Sequence, residues 1–522
     1  MSNRVRTQLI KIFAGSSMLL LIGGMLCVTG CSQEPDGSDF LEGTFYMDGN
    51  GTRSDAQSDS SLEPGSTSSA ASTSEESFSE QDTQETPVES ASQEPSVTES
   101  SQTEPVETTQ SEEPVETEPM PPSSEPVVPP TTPSVIVVNN PGQAQLSPAR
   151  IMEINQYTRQ NPAAGCYKVT DLRQLSRGEV LGLIYVYSFP EYPYYAGHAI
   201  TPEERAALEA NRNVDAVPET VTVQYGIMTD NGNVRTYPTI HPITQNNRYE
   251  DFDYFQETMF ALGEMVAVLH TSADGQFVFV VGANDKGWVE RSKIGFTDLA
   301  TLQQWEAALM HPAVVTEPYI RLDNGAVLRM GTALPMLAND GANYQIWYPV
   351  NQGGMLQLTR LTVPVRNDIS DGYLPFTYEG VVRRMQQMNG VSYGWGDAHL
   401  NFDCSSTVGA VYRCFGIYMP RNTGQMHGVG TSVYSLAGMS LAERMARIQN
   451  APLGSLLVMP GHVVMYCGVS SGTPLISHTV TRYSENGVDM IEANQCRTTS
   501  LNIYTSSGRL YPEAFSWLIV FE

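Results

Sequence analysis

The chain has 522 residues and carries 57 acidic against 29 basic side chains, a formal net charge of −28. Such an excess argues against a nucleic-acid-binding surface, because phosphate would be repelled. The length leaves room for two or three domains beside any export or linker segment.

Residues 1–31 read as an export signal. Arg4, Arg6 and Lys11 form a positive region, IFAGSSMLLLIGGML an apolar core, and VTGC ends the run at Cys31. The ending resembles the bacterial lipobox, in which the cysteine is lipidated and becomes the new N-terminus. An ordinary secretory signal or an uncleaved anchor shares the same layout. The lipobox reading implies lipidation at Cys31 and stable anchoring to a membrane. The protein would then sit on the outer face of the cytoplasmic membrane, or on another envelope membrane, facing the cell wall.

Residues 32–135 form a tether of Ser, Thr, Glu and Pro. It holds 23 acidic residues against the single Arg53, so most of the net charge belongs to it. With so few large apolar residues it cannot bury a core and is expected to be disordered. A flexible chain of that length spans on the order of 55 Å. That reach suits a membrane-anchored domain working in a surrounding wall; a solubilising spacer needs the same composition.

Five cysteines remain beyond Cys27 and Cys31: Cys166, Cys404, Cys414, Cys467 and Cys496. An odd number in an exported chain leaves at least one free thiol. Their spacing offers neither a CxxC pair nor a nearby His pair, so no structural zinc site is expected.

A short helical segment is expected within 136–176, where Ser147 before Pro148 marks a helix start. From 177 the texture turns to β. VLGLIYVYSF, ETVTVQYGIMTDNGNVRTY, GEMVAVLHTSADGQFVFVVGANDKGWVERSKI and YQIWYPVNQGGMLQLTRLTV read as strands separated by the turn signals DNG, ADG, NDKG and NQGG. Residues 177–300 and 301–368 resemble two bacterial SH3-like modules, with Trp288 and Val289 in the closing hairpin of the first. Trp288 and Trp347 are expected in cores. Tyr192, Tyr194 and Tyr195 of EYPYYAGH either line a groove or sit in a loop.

Residues 369–522 carry the chemistry. In FDCSSTVGAVYRCF the apolar residues recur at helical spacing, which places Cys404 where a helix begins. Downstream, PLGSLLVMPGHVVMYCGV and PLISHTVTRY read as paired strands carrying His462 and His478. Strand alternation puts His462, Val464 and Tyr466 on one face, and Val463, Met465 and Cys467 on the other. Cys467 therefore points away from His462, and Cys414 reads as core. A helix N-terminus lowers a thiol pKa, a nearby histidine supplies a base, and the same N–H groups can hold an oxyanion. Spacing alone leaves open whether the histidines are catalytic or buried core groups.

Five motifs in order, Tyr-x-Trp-Gly, Asp-Cys-Ser-Ser, Met-Pro-Arg-Asn-Thr-Gly-Gln, Gly-His-Val-Val-Met-Tyr and Ile-Ser-His, resemble the NlpC-type cell-wall cysteine peptidases, a papain-like family. The resemblance covers about 150 residues at the C-terminal end of the sequence. It implies an α+β papain-like domain behind small all-β SH3-like barrels. Cys404 becomes the nucleophile, His462 the general base and later acid, and His478 the orienting third member. The bond implied is that between D-γ-glutamyl and the diamino acid of peptidoglycan stem peptides or muropeptides, with no metal or cofactor; the oligomeric state stays open, a monomer being expected. Tyr393, Asp403, Ser405 and Thr423 match substrate-contacting positions. Asp403 either receives the free amine of an N-terminal L-Ala or simply stabilises the helix start. The sequence departs from the family at Ser406 and Asp397, both glycine positions; Asp397 is expected to alter a loop at the groove entrance. His399 and His427 are expected at the surface or along the groove. Two rivals remain: an amidase or endopeptidase acting on another peptidoglycan bond, and a non-catalytic wall-binding lipoprotein.

Overall fold

The computed structural model describes residues 145–246 and 252–522. The export signal with Cys31 and the acidic segment 32–135 lie outside them. Helix α1 (Pro148–Gln160) starts as its cap sequence predicts, the Ser147 hydroxyl accepting the Arg150 N–H at 3.2 Å. It packs on the C-terminal domain. Ile154 joins that domain's core. Asn155 donates to the Gly416 carbonyl at 2.7 Å and accepts from the Tyr418 N–H at 2.9 Å.

The apolar run beginning at Val180 is a correction. It forms helix α2 (Arg177–Tyr185) and not a strand. A run this short does not distinguish the two by periodicity. The deciding signal is local: Ser176 and Glu179 close a reciprocal capping box. Val180 and Ile184, one turn apart, are then buried together. Helix α3 (Pro202–Asn211) starts with the same device at Thr201 and Glu204.

The first β-module contains β1 (Gln224–Met228), β2 (Gly232–Arg235), β3 (Gln256–Phe260), β4 (Met265–Thr271), β5 (Phe277–Val281), β6 (Lys286–Glu290) and β7 (Ile294–Thr297). DNG turns β1 into β2, ADG turns β4 into β5, and NDKG turns β5 into β6. After α4 (Leu299–Ala308) comes a second module of β8 (Pro312–Val315), β9 (Ala333–Asn339), β10 (Asn343–Gln352), β11 (Met355–Pro364) and β12 (Ile369–Asp371). The strand orders are β7-β1-β4-β5-β6-β2-β3 and β12-β8-β9-β10-β11. Both repeat one plan: the closing strand pairs with the first, and a three-strand meander follows. Each also inserts a hairpin after its first strand, β2–β3 in one module and Tyr319–Arg321 with Val327–Arg329 in the other. Phe296 and Met355 join the two sheets.

The C-terminal domain sets an antiparallel sheet between two helical layers. Its strands are β13 (Ser432–Ser435), β14 (Leu456–Met459), β15 (His462–Ser470), β16 (Thr473–Ser484), β17 (Met490–Ser500) and β18 (Trp517–Val520), in the order β13-β18-β14-β15-β16-β17. One face packs Val463, Met465 and Cys467 against α5 (Tyr378–Gln387) and α6 (Cys404–Arg413). The other packs Val464 and Tyr466 with Ile448 of α7 (Leu441–Gln449). The alternation expected from the sequence holds, and Cys414 and Cys467 are buried core residues. The second module comes very close to α6. Gly331 has φ +82°, and a Cβ there would lie 2.9 Å from the Ala410 carbonyl. Glu264 of the first module pairs with Arg413 at the far end of α6.

Trp288 is fully buried, and Trp347 packs against the edge of the same core. The Trp288 indole N–H has no hydrogen-bond partner among the described residues, so the residue contributes through its rings. Trp288→Ala is expected to cost roughly 3–5 kcal/mol in urea denaturation, and Trp288→Phe much less. Equal losses for the two variants would show that the N–H matters.

Candidate active site

Asp403 fixes the start of α6. Its Oδ1 accepts from the Ser405 N–H at 3.1 Å and the Ser406 N–H at 2.9 Å, while the Ser406 hydroxyl accepts the Asp403 N–H at 2.9 Å. Ser406, found where the family has glycine, therefore closes a capping box that glycine could not. With the two following N–H groups taken by Asp403, the Cys404 N–H is the helix-terminal donor left over. The sequence argument had made all of them available to an oxyanion.

Arg421 grips Asp403 from below. Its Nη2 lies 2.7 Å from Oδ2, and its Nη1 lies 3.3 Å from Oδ1 and 2.7 Å from the Ser405 hydroxyl. Ser405, expected against substrate, is turned inward: its hydroxyl accepts from Arg421 and donates to Asp403. Asp403 Oδ1 is fully engaged, which leaves Oδ2 as the only route by which this carboxylate could meet an amine. The Asp397 side chain is turned inward, 2% exposed and paired with Arg329 at 2.9 Å and Arg421 at 3.4 Å. Burial alone would raise its pKa, yet the two guanidiniums bring it below the usual carboxylate value.

Cys404 is 8% exposed, and the backbone of Val463 on β15 lies within hydrogen-bonding reach of its thiol. His462 opens β15 immediately before Val463. Its Nε2 sits 2.9 Å from Nδ1 of His478 on β16, and His478 Nε2 lies 3.4 Å from the Thr499 hydroxyl. The two histidines thus share a face, as expected. Tyr511 stands edge-on to both rings, at 6.1 Å and 5.7 Å between centroids. The Tyr393 phenol is pushed up by burial and by the neighbouring Asp403 carboxylate. Thr423 is buried at the start of the short 3-10 turn Thr423–Gly428, and no hydrogen bond ties its side chain to Cys404 or Asp403 among the described residues. His399 and His427 are exposed, the latter stacked on Trp517. Tyr192 stacks on Tyr254, which meets Trp395, while Phe252 bridges Trp395 and Tyr393.

Burial, reinforced by the Asp403 charge, pushes the Cys404 thiol up to about 12 against the opposing pull of Val463 and Arg421. Burial likewise brings His462 down to about 4 and His478 well below the imidazole range. At each of these groups desolvation outweighs the influences that favour the charged form, and it favours a neutral thiol and neutral imidazoles.

Sequence reasoning missed Arg421, Tyr511 and Thr499. Arg421 stood inside a quoted motif without a role; Tyr511 and Thr499 gave no signal. All five described cysteines are free.

Fold and site together define a cysteine-peptidase domain preceded by SH3-like modules. Residues 390–507 match the NlpC/P60 family, and residues 243–290 match the SH3 domain (SH3b1 type). The C-terminal domain is thus similar to the NlpC/P60 family, and an SH3b-like domain precedes it. Among solved structures, an NlpC/P60 endopeptidase from Photobacterium damselae subsp. piscicida is 19% identical, with a TM-score of 0.59, over 72% of this chain and 94% of its own. An NlpC/P60 family protein from Bacillus cereus ATCC 10987 is 18% identical over 51% of this chain and 81% of its own, with a TM-score of 0.36. NlpC2 from Trichomonas vaginalis is 17% identical over 55% and 98%, with a TM-score of 0.22. At these identities the first likeness is one of fold. No curated protein matches the chain by sequence.

Buried His478 and half-buried His462, both with lowered imidazole pKa values, make stability depend on pH. In the unfolded chain each binds a proton near 6.5, whereas folded His462 does so only near about 4. The stability this contributes is present above 6.5 and is lost as pH falls through about 4. The thermal midpoint is expected to drop across that window, and His478→Gln to make the drop shallower. A midpoint indifferent to pH there would mean that both rings protonate freely in the native state.

Proposed function

We propose that this protein hydrolyses peptidoglycan stem peptides at the bond between D-γ-glutamyl and the diamino acid, through Cys404, His462 and His478. The observation that carries the reading is the convergence of a capped helix start at Cys404 on the His462–His478–Thr499 chain. If His462 is to take a proton at Nδ1, it must donate at Nε2; His478 then accepts at Nδ1 and donates from Nε2 to Thr499. That tautomer satisfies every partner.

In the reaction, Cys404 Sγ attacks the γ-carbonyl as its proton passes to His462 Nδ1. The Cys404 N–H stabilises the oxyanion, and His462 returns the proton to the leaving amine. Water, deprotonated by His462, then cleaves the thioester and restores the thiol. The resting pair is neutral, so thiol deprotonation accompanies attack and does not precede it. Tyr393 stands beside the nucleophile with its phenol protonated and able to donate to substrate. Asp403 Oδ2 is the candidate receiver for an L-Ala amine. The choice of scissile bond rests on the resemblance. Lipidation at Cys31, with the acidic tether giving reach, would place the domain on a membrane and facing the wall.

Digestion of defined tri- and tetrapeptide stems, with and without a free L-Ala amine, tests the reading. The wild-type protein should release diamino-acid fragments, and Cys404→Ala should lower the rate by at least about a thousandfold while leaving the fold intact. Comparable release by that variant would sink the proposal. Fragments cut between the glycan and L-Ala would replace the bond but keep the chemistry.

A further inference from the structure

Backbone strain and buried charge coincide at Asp397, a residue the reaction above does not use. Gly396, Asp397, His399 and Leu400 have φ of 56°, 66°, 58° and 67°. Glycine adopts such angles freely, whereas a side chain there is strained. Asp397 is nonetheless retained in this conformation and its carboxylate is fully used. Oδ1 accepts from Arg329 of the second β-module at 2.9 Å. Oδ2 accepts from the Thr258 hydroxyl of the first β-module at 3.0 Å and from Arg421 at 3.4 Å. The same loop is held again at Gly396, whose carbonyl accepts from Gln256 Nε2 at 2.9 Å.

Arg421 carries these contacts to the nucleophile. Its Nε donates to Thr258 at 2.5 Å, and its two terminal nitrogens reach Asp397, Ser405 and Asp403. Asp403 in turn caps the turn that bears Cys404. No nitrogen of the guanidinium is idle, so its position depends on Thr258 and Asp397 as much as on its own domain. The four charges are two carboxylates and two guanidiniums, all buried.

We propose that Asp397, held by Arg329 and Thr258, is a positioning residue for Cys404, acting through Arg421 and Asp403, so that both β-modules complete the active site. The inference rests on Cys404 being the nucleophile. A merely adhesive role for the cluster would change how much protein folds but not the chemistry of the thiol.

Alkylation of Cys404 by iodoacetamide across pH separates the two roles and needs no substrate, with Cys404→Ala correcting for the other thiols. The titratable groups that act on this thiol are Asp403, Arg421, Tyr393 and Tyr511, and His462 stands next to Val463, whose backbone reaches it. In the full chain carrying Asp397→Asn, Arg421 keeps its charge but loses one carboxylate partner. The alkylation midpoint should therefore move to lower pH, while kcat on stem peptides falls about tenfold with KM held within about twofold. Thr258→Val, nearly isosteric, should lower kcat in the same way, and Thr258→Ser should restore it. Folded Asp397→Asn and Thr258→Val proteins with the wild-type alkylation profile and kcat would overturn the proposal. If the wild-type protein leaves stem peptides intact, the proposed substrate fails, and the alkylation profile still decides the positioning role.

Discussion

The pairing of Asp403 with Arg421 is the constraint on which the rest of this molecule depends. A single carboxylate caps the helix that presents Cys404, anchors a guanidinium, and holds the Ser405 hydroxyl inward. Losing one partner of such a buried pair typically costs about 3–5 kcal/mol. That is a large share of the roughly 5–15 kcal/mol that holds a native domain together. The pair is tolerable only because Asp397, Arg329 and Thr258 balance its charge and fill its remaining hydrogen bonds. Those partners come from three different parts of the chain, so the domains are bound together by the electrostatics of one small volume.

The same burial governs the chemistry. A helix terminus and a nearby arginine both favour a thiolate, and each contributes within the first turn. Removing the thiol and two imidazoles from water opposes this more strongly, and the neutral forms prevail. His478 lies between His462 and the Thr499 hydroxyl and is enclosed by Tyr511 and Tyr483.

Much of this was legible in the sequence wherever the signal was local. The turn tripeptides and tetrapeptides placed the hairpins of both β-modules. Period-two alternation put His462 and Cys467 on opposite faces, and Ser147 with Pro148 marked the first helix. What the sequence concealed was distant partnership. Nothing local says that Asp397 will meet Arg329, or that Arg421 will meet Thr258, 163 residues away. Ser405 was misread because its role depends on that same arginine. The run at Val180 failed for a different reason: six apolar or small residues fit a strand as well as a helix, and the Ser176–Glu179 cap carried the answer. Resemblance supplied the family and the triad positions, while the packing explained why Ser406 can stand where glycine is usual.

The docking of α1 bears on how the chain is made. Asn155 finds its backbone partners 261 and 263 residues further on, at Gly416 and Tyr418. At a synthesis rate of about 5–20 residues per second, α1 must wait on the order of 13–50 s before its acceptor exists. Both β-modules can close during that interval, because their pairings are mostly between neighbouring strands. Among the described helices α1 is made first, and it is among the last to settle, because its partners on the peptidase domain are made so much later.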